Sequence, residues 1–403
     1  MKQSLKKGIS WGLYDFANSG YFLVFVVLTF PLFLSQHIFP GDRWFEAKWG
    51  VTQGAAILLA VVIGLSLGRR LDKVGIQKVV PWCIRFAGVM SLLIPLLIAF
   101  KASGNILLFI FAIVHATYLF SLTVYDASLK GVATGLESVE VSGWAWGWGY
   151  MGGIACMIIM LIVGKLSGEN PTYIFFTASL FYLVSSLLSA RGLKHRITNT
   201  IQKISQESEV KQKSTDTLML STNRWRLLLT FVLVVDGIAV FMGFFSIYAN
   251  KIVGATDSSI TAMLGVLQLL AFPLTGLLVS LGSSRYGLRK LLLFCGLSWS
   301  IASALVVLFP TVSILWVCVF IIAGAVGTTQ ALLRSLYADT VPETGSIHGF
   351  STYAIVEKGA AFIGPLVGGS LISVVGYKPV LLVAGLMILL GCISVGRLVK
   401  VKI

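Results

Sequence analysis

The feature that most constrains this chain is a series of apolar stretches, each about as long as a membrane is thick. A bilayer core needs about 20 mostly apolar residues per helix, and such stretches recur from Trp11 to Val395 with short polar interruptions. Hydrophobic residues make up 57% of the 403 residues and charged residues only 12%, so nothing remains to fold as a soluble domain. The pattern predicts an all-α membrane protein with twelve transmembrane helices.

The expected helices follow from the apolar runs between polar breaks. They cover residues 11–35, 47–68, 79–100, 104–129, 140–165, 171–190, 224–249, 258–281, 290–309, 312–335, 348–375 and 379–397.

The lysines and arginines divide the connecting loops into two classes. Of the 31 basic residues, 23 lie on the side that carries the N-terminus, six lie on the opposite side, and Arg85 and Lys358 lie inside helices. The positive-inside rule then places both termini in the cytoplasm, which requires an even number of helices. The formal net charge of +15 is thereby assigned to cytoplasmic loops, and no nucleic-acid partner is expected.

Enzyme chemistry has no support in the sequence. The five cysteines lie within apolar segments and lack metal-ligand spacing, so they are interpreted as small core residues. Neither a phosphate-binding glycine loop nor a nucleophile with its base is found. We therefore expect no catalytic residue, no metal and no cofactor.

The one long polar stretch divides the chain into two halves. Residues 1–190 are expected to form an N-terminal bundle of six helices, 191–223 a cytoplasmic linker, and 224–403 a C-terminal bundle of six. The linker is interpreted as a solvated tether, with a short surface helix as the alternative. Two short basic turns recur at matching places in the halves, with Gly75 and Gly287 permitting the sharp reversals.

Short motifs carry a family resemblance along the whole chain. The loop with Gly68, Asp72, Lys73, Gly75 and Lys78 resembles the signature between helices 2 and 3 of the major facilitator superfamily. The opening SWGLYDFANSGY, the run SGWAWGWGYMGG, and GTTQALLRSLYADTVP followed by FIGPLVGG resemble the vacuolar amino-acid effluxer-like branch. This resemblance implies two six-helix bundles that rock around a central site. Asp126 and Lys130 stand where that branch has an amide and a proline.

Ionisable residues inside a membrane are costly, so each one is a functional candidate. Asp15 and Asn18 share one helix face at i, i+3, and they either line the substrate path or make a structural hydrogen bond. Asp236 is the corresponding carboxylate of the second half. It is expected either to couple transport to protons or to pair with a linker arginine.

Two adjacent charges fall in the middle of the eleventh predicted helix. Glu357 is a candidate for proton coupling or for binding a substrate ammonium group. Lys358 could bind a substrate carboxylate or neutralise a buried acid such as Asp236. The alternative for both is a structural ion pair between helices.

A second group of residues is assigned to gating. Arg334 suits a carboxylate through its bidentate fork. Because it lies near the end of its helix, it is expected either to snorkel to the interface or to form a gate with Asp339. Asp126 is expected to pair with Arg85 or Lys130, and Asp72 belongs to the signature loop. Trp144, Trp146 and Trp148 are interpreted as an aromatic belt at the membrane interface.

These observations favour a secondary transporter that moves a small polar solute by alternating access. Proton coupling is the favoured energy source, and amino acids are the first substrate class because the resemblance points to them. The alternatives are efflux of drug-like or siderophore-like molecules, and a receptor or scaffold with a transporter fold. The expected setting is a bacterial inner membrane, and the expected state is a monomer.

Overall fold

The described parts of the twelve apolar runs fold into helices that pack side by side. The computed structural model describes residues 2–133, 135–208, 221–338 and 364–398. A short helix, Lys2–Trp11, precedes the first span. The first six long helices are α1 Leu13–Ile38, α2 Phe45–Val74, α3 Ile76–Ala99, α4 Gly104–Ala127, α5 Gly135–Leu166 and α6 Pro171–Ser208.

Six further helices follow in the second half of the chain. They are α7 Ser221–Lys251, α8 Asp257–Arg285, α9 Leu288–Leu308, α10 Val312–Ala338, α11 Gly364–Val375 and α12 Tyr377–Leu398. Eleven of the described helices are long and apolar enough to cross a membrane, and α11 is a shorter apolar helix. The predicted all-α fold is confirmed, and the predicted count of twelve agrees with it.

Helix α1 departs from regular α-helical geometry at two places. Residues Leu23–Val27 and Leu34–Ile38 are π-helical, and the turn between them contains Pro31. Proline lacks a backbone N–H and its ring clashes with the carbonyl four residues earlier, which is Val27 here. The helix therefore widens around Pro31. Such π-helical turns are rare, and many of those that occur lie at functional sites.

The two short basic turns contain the sharp reversals that Gly75 and Gly287 predict. Gly75 follows α2 with a φ of 92°, and Gly287 follows α8 with a φ of 79°. This left-handed region is open to glycine but costly for other residues, so both glycines permit the tight reversal. The end of the molecule that carries these turns is called the basic side below, and the other end is called the opposite side.

Burial separates central helices from peripheral ones. In the apolar segments of α1 and α7, 78% of the residues are buried, against 39% for α3 and α6. Large side chains such as Leu58, Phe109 and Leu188 are exposed on the outer faces, where lipid replaces water as the solvent. Helices α1 and α7 therefore lie near the centre of the protein.

Helix α5 connects the two halves of the chain. It packs against α1 within the first half and against α8 and α10 of the second half. Its glycines make this possible: a Cβ on Gly143 would lie 2.8 Å from Val279, and a Cβ on Gly147 would lie 2.7 Å from the Phe272 carbonyl oxygen. Small residues of this kind let membrane helices approach closely.

A second close approach joins α2 to α11. A Cβ on Gly50 would overlap the carbonyl oxygen of Pro365, and a Cβ on Gly369 would lie 2.5 Å from the carbonyl oxygen of Glu46. The halves are thus in contact near the opposite side as well.

Helix α6 continues past the predicted end of the sixth span. It runs to Ser208, so the first part of the predicted linker is helical. The structure does not describe residues 209–220.

Candidate transport site

Arg334 is the centre of a buried charge cluster near the basic side. It lies on α10 and is only 4% exposed. Its Nη1 lies 3.1 Å from Asp126 Oδ1 on α4 and 3.4 Å from Asp15 Oδ2 on α1. Its Nη2 lies 3.4 Å from the same Asp15 oxygen. One guanidinium of the second half therefore holds two carboxylates of the first half.

Helix α5 and two indole rings orient the guanidinium. Arg334 Nε donates to Ser142 Oγ at 2.9 Å, and Nη2 donates to the Ser142 carbonyl oxygen at 3.2 Å. Arg334 Cζ lies 4.7 Å from the ring centre of Trp11 and 5.4 Å from that of Trp146. Aromatic faces attract a cation through their quadrupole. We call Asp15, Asp126, Ser142 and Arg334 the basic-side cluster.

Asp15 has two further hydrogen-bond donors. The hydroxyl of Tyr125 donates to Asp15 Oδ2 at 2.9 Å, and Asn18 Nδ2 donates to Oδ1 at 3.4 Å. Tyr125 also stacks on Trp11, with ring centres 4.5 Å apart. The carboxylate is thus held as an acceptor in a place without exposure to water, where buried charges need such partners.

A second charge cluster joins the halves near the opposite side. Glu46 of α2 is 6% exposed. Its Oε1 accepts from Lys251 Nζ of α7 at 2.8 Å and from the Tyr377 hydroxyl of α12 at 2.9 Å. Trp49 of α2 also donates from Nε1 to the Gly243 carbonyl oxygen of α7 at 3.3 Å. We call Glu46, Lys251 and Tyr377 the opposite-side cluster.

Further polar contacts lie at the edge of the protein on the opposite side, one exposed and one partly buried. Gln36 Nε2 of α1 donates to Asp257 Oδ1 of α8 at 3.1 Å. In the loop between α1 and α2, Asp42 accepts from Lys48 Nζ at 2.6 Å, and this hydrogen bond lowers the pKa of the Asp42 carboxyl. These contacts connect neighbouring elements at the edge of the protein. The buried Glu46, in contrast, connects α2, α7 and α12.

The two clusters connect the halves of the chain, one near each end of the described helices. The family comparison agrees with such a transporter architecture, since residues 131–402 match the vacuole effluxer Atg22-like family. The chain belongs to this family.

One relative aligns with most of the length of this Atg22-like protein. The uncharacterised MFS-type transporter YxiO of Bacillus subtilis (strain 168) is 27% identical over 385 residues, which cover 91% of this chain and 88% of YxiO. Its description as MFS-type agrees with the major facilitator resemblance of the motifs.

Solved structures share the fold of the Atg22-like chain at low sequence identity. A bacterial homologue of the iron transporter ferroportin in its outward-facing state superimposes with a TM-score of 0.65 at 15% identity, covering 98% of this chain and 99% of the homologue. The major facilitator proton:xylose symporter XylE superimposes with a TM-score of 0.64 at 12% identity, covering 96% and 93%. The major facilitator fold is thereby established. The family and the relatives that match the Atg22-like chain are transporters, not enzymes.

The structure brings four of the predicted site residues of the Atg22-like protein together. Asp15, Asn18, Asp126 and Arg334 belong to one hydrogen-bonded network. Asp126 contacts Arg334 of the other half. Of its two predicted partners, Arg85 is exposed on α3, and the side chain of Lys130 lies outside the described residues. The contact with Arg334 was not predicted, because 208 positions separate the two residues in the sequence.

Other predicted residues lie apart from the network or outside the described residues. Asp236 of α7 is buried at 2% exposure and accepts from the Gly364 backbone N–H at 2.9 Å, beside a small apolar cavity between α7, α11 and α12. Asp339, Glu357 and Lys358 lie outside the described residues, and so does the side chain of Asp72.

The aromatic-belt interpretation of the three tryptophans is wrong. The indole nitrogens of Trp144, Trp146 and Trp148 are all buried. Trp144 packs against Gly276 of α8, Trp146 lies over Arg334, and Trp148 lies 5.6 Å from Phe16. They point into the protein because α1, α8 and α10 pack against α5.

Two residues of the opposite-side cluster were missed by sequence reasoning. Glu46 stands before the predicted start of the second helix, and Lys251 follows the predicted end of the seventh, so the sequence places both in loops. The observed helices begin at Phe45 and end at Lys251. One feature of the sequence could have indicated this pair: Glu46 and Lys251 carry opposite charges and lie at helix ends on the same predicted side of the membrane.

Proposed function

We propose that this protein is a proton-coupled secondary transporter that moves a small polar solute by alternating access. The observation that carries the proposal is the pair of charge clusters, one near each end, that join the same two halves. Each cluster can break only where the halves separate, so breaking one at a time opens one side at a time. That is the requirement for alternating access.

The coupling follows from the composition of the basic-side cluster. Two carboxylates, Asp15 and Asp126, face one guanidinium at 3.1–3.4 Å. Protonation of either carboxylate removes one of the two charge-assisted contacts of Arg334 and weakens the connection between the halves. Proton uptake from the basic side therefore favours opening to that side. Glu357 and Asp236 are further candidates for a coupling acid.

Topology and substrate class belong to the same proposal. Residues 1–190 form one bundle, 191–223 the linker and 224–403 the other bundle, in a bacterial inner membrane with both termini cytoplasmic. The basic side is then the cytoplasmic side. Amino acids are the first solutes to test, because the buried network holds carboxylates and a guanidinium together and can match either end of a zwitterion. The transporter acts as a monomer.

The experiment measures counterflow and pH-gradient-driven flux of an amino-acid panel in proteoliposomes. Wild type is compared with Asp15→Asn, Asp126→Asn, Asp236→Asn and Glu357→Gln. We expect saturable flux that loses its pH dependence when the coupling acid becomes an amide. Glu169→Gln is the matched control, since Glu169 is an exposed acid in the loop between α5 and α6.

Two outcomes would contradict the proposal in different ways. Flux that keeps its pH dependence in all four variants would rule out coupling through these acids. Folded protein without flux for any amino acid would favour other cargo or a receptor role.

A specific observation favours efflux of drug-like molecules as the second candidate. Over 140 residues, a third of each chain, the protein is 29% identical to the class E tetracycline resistance protein of Escherichia coli.

A further inference from the structure

The cavity between α7, α11 and α12 is large enough to hold part of a small molecule. Its volume is about 180 Å³, and an engineered apolar cavity of about 150 Å³ in another protein binds benzene. The lining positions of α11 extend from Gly364 to Val375, which corresponds to about 16 Å of helix. An aromatic ring with a short chain attached to it matches both dimensions.

The mouth of the cavity lies on the outer face of the second half of the chain. Three of the lining residues, Val367 and Leu371 of α11 and Val383 of α12, are 45–54% exposed. Their side chains are apolar, and they stand on apolar helices whose outer faces contact lipid rather than water. A ligand therefore reaches this cavity from the membrane, and its outer part must be compatible with lipid.

Among the described residues that line the cavity, only Asp236 is ionisable. It is 2% exposed and lies five residues inside the span Phe231–Lys251, about 8 Å into the apolar region. Within the described part of the chain its carboxyl group accepts one hydrogen bond, from the Gly364 backbone N–H at 2.9 Å, and belongs to none of the ion pairs. A carboxylate at this depth is costly unless a cation compensates its charge.

The apolar lining and the single acid together select a lipophilic amine. An ammonium group carries N–H donors and a positive charge, so it makes a charge-assisted hydrogen bond with a carboxylate, while the attached ring or chain contacts the apolar lining. A lipid tail suits the lining but leaves Asp236 without a cation, and an anionic molecule is repelled by it. The headgroups of phospholipids stay at the membrane surface, above the depth of Asp236.

We propose that this cavity binds a lipophilic amine from the membrane, with the ammonium group at Asp236 and the apolar part between α11 and α12. The inference goes beyond the proposed transport of a polar solute, because the cavity lies within the second half of the chain and shares no residue with the two charge clusters. It gives Asp236 a role other than proton coupling. Its test measures binding and needs no flux, so its failure is distinct from a failure of the transport proposal.

The test uses three compounds of similar length with the same ring: phenylbutylamine, the neutral phenylbutanol and the anionic phenylbutyrate. A diazirine derivative of phenylbutylamine is photoactivated on the full chain in lipid nanodiscs, and mass spectrometry of the peptides locates its attachment. We expect labelling of α11 and α12 beside the cavity. Unlabelled phenylbutylamine should compete about tenfold better than phenylbutanol, because a hydrogen bond to a charged group is stronger than one between neutral groups. Phenylbutyrate should compete least.

Three variants test the site. Asp236→Asn removes the charge and keeps an oxygen that can accept from the Gly364 N–H, and we expect the amine to compete no better than the alcohol in it. Val383→Trp fills the mouth of the cavity and leaves Asp236 unchanged, so labelling should fall at least tenfold. Leu386→Trp is the matched control, since Leu386 is 53% exposed on the same helix and is not among the lining residues. Labelling should persist in this control.

Several results would overturn the inference. Equal competition by amine and alcohol in wild type would mean that the cavity holds lipid tails only and that Asp236 is neutral or paired within the chain. An amine preference that survives in Asp236→Asn, or labelling that survives in Val383→Trp, would place the amine elsewhere. Labelling confined to other helices, or no labelling at all, would also contradict the site. If Asp236→Asn fails to fold, the comparison of Val383→Trp with Leu386→Trp still decides.

Discussion

At the scale of single residues, Arg334 connects side chains that are far apart in the chain. Asp15 is 319 positions away from it, and Asp126 is 208 positions away. The cost of charge in a membrane was enough to single out each of these residues from the sequence. Their partnership was not predictable, because it depends on how three helices from two halves pack together.

Removing one member of the basic-side cluster should cost more than removing all the charges. Arg334→Gln leaves Asp15 and Asp126 buried without their cation, and we expect a loss of about 3–5 kcal/mol in unfolding free energy. The triple variant Asp15→Asn, Asp126→Asn, Arg334→Gln leaves no buried charge in the cluster and should recover part of that loss. Chemical denaturation of the purified protein followed by circular dichroism measures both. A triple variant less stable than Arg334→Gln would contradict this account.

At the scale of helices, the sequence predicted position well and local geometry poorly. Hydropathy sets the position of a span, so predicted helices such as 104–129 and 312–335 agree closely with Gly104–Ala127 and Val312–Ala338. The π-helical turns of α1 were not predicted, because apolar composition carries no information about backbone hydrogen bonds. The inward direction of the α5 tryptophans depends on tertiary packing for the same reason.

Glycines at helix contacts should have different effects according to the helices they join. Gly152→Ala places a methyl group against the Phe16 backbone of α1 within the first half, and we expect lower thermal stability. Gly50→Ala places one against the Pro365 backbone of the other half, so it should separate the halves near the opposite side while each still folds. Gly164→Ala is the control, since its nearest contact is an ordinary 3.7 Å to Ile174.

Thermal unfolding and thiol accessibility distinguish these variants. Thr52 is buried on α2, two residues after Gly50. A cysteine introduced at this position should react faster with a water-soluble maleimide in Gly50→Ala than in wild type. Equal reactivity in the two proteins would show that the contact between α2 and α11 does not close the opposite side.

At the scale of the whole molecule, the two charge clusters oppose each other. Both are intact in this structure, so the halves are held together at both ends. Loss of either cluster should shift the population towards opening at that end. A difference of about 1.4 kcal/mol changes a population ratio tenfold. The two-bundle fold was predictable from span count and linker, whereas this balance required the contacts themselves.

Spin-label distances test this opposition directly. Labels at Val74 and Arg289 report on the basic side, and labels at Trp44 and Val375 report on the opposite side; all four positions are exposed. Arg334→Gln should lengthen the basic-side distance only, and Glu46→Gln should lengthen the opposite-side distance only. In the variant that carries both substitutions, each of the two distances should show a mixture of short and long values. Lengthening at both ends in a single variant would contradict the opposition.

The position of Arg334 between two indole rings has an optical consequence. The emission wavelength of an indole depends on the electric field at its ring, and a guanidinium 4.7 Å from Trp11 and 5.4 Å from Trp146 is a strong local source of field. When Arg334 withdraws, the ultraviolet emission of both rings must shift. The protein therefore carries a built-in spectroscopic reporter, and opening at its basic side can be followed in real time without any attached dye.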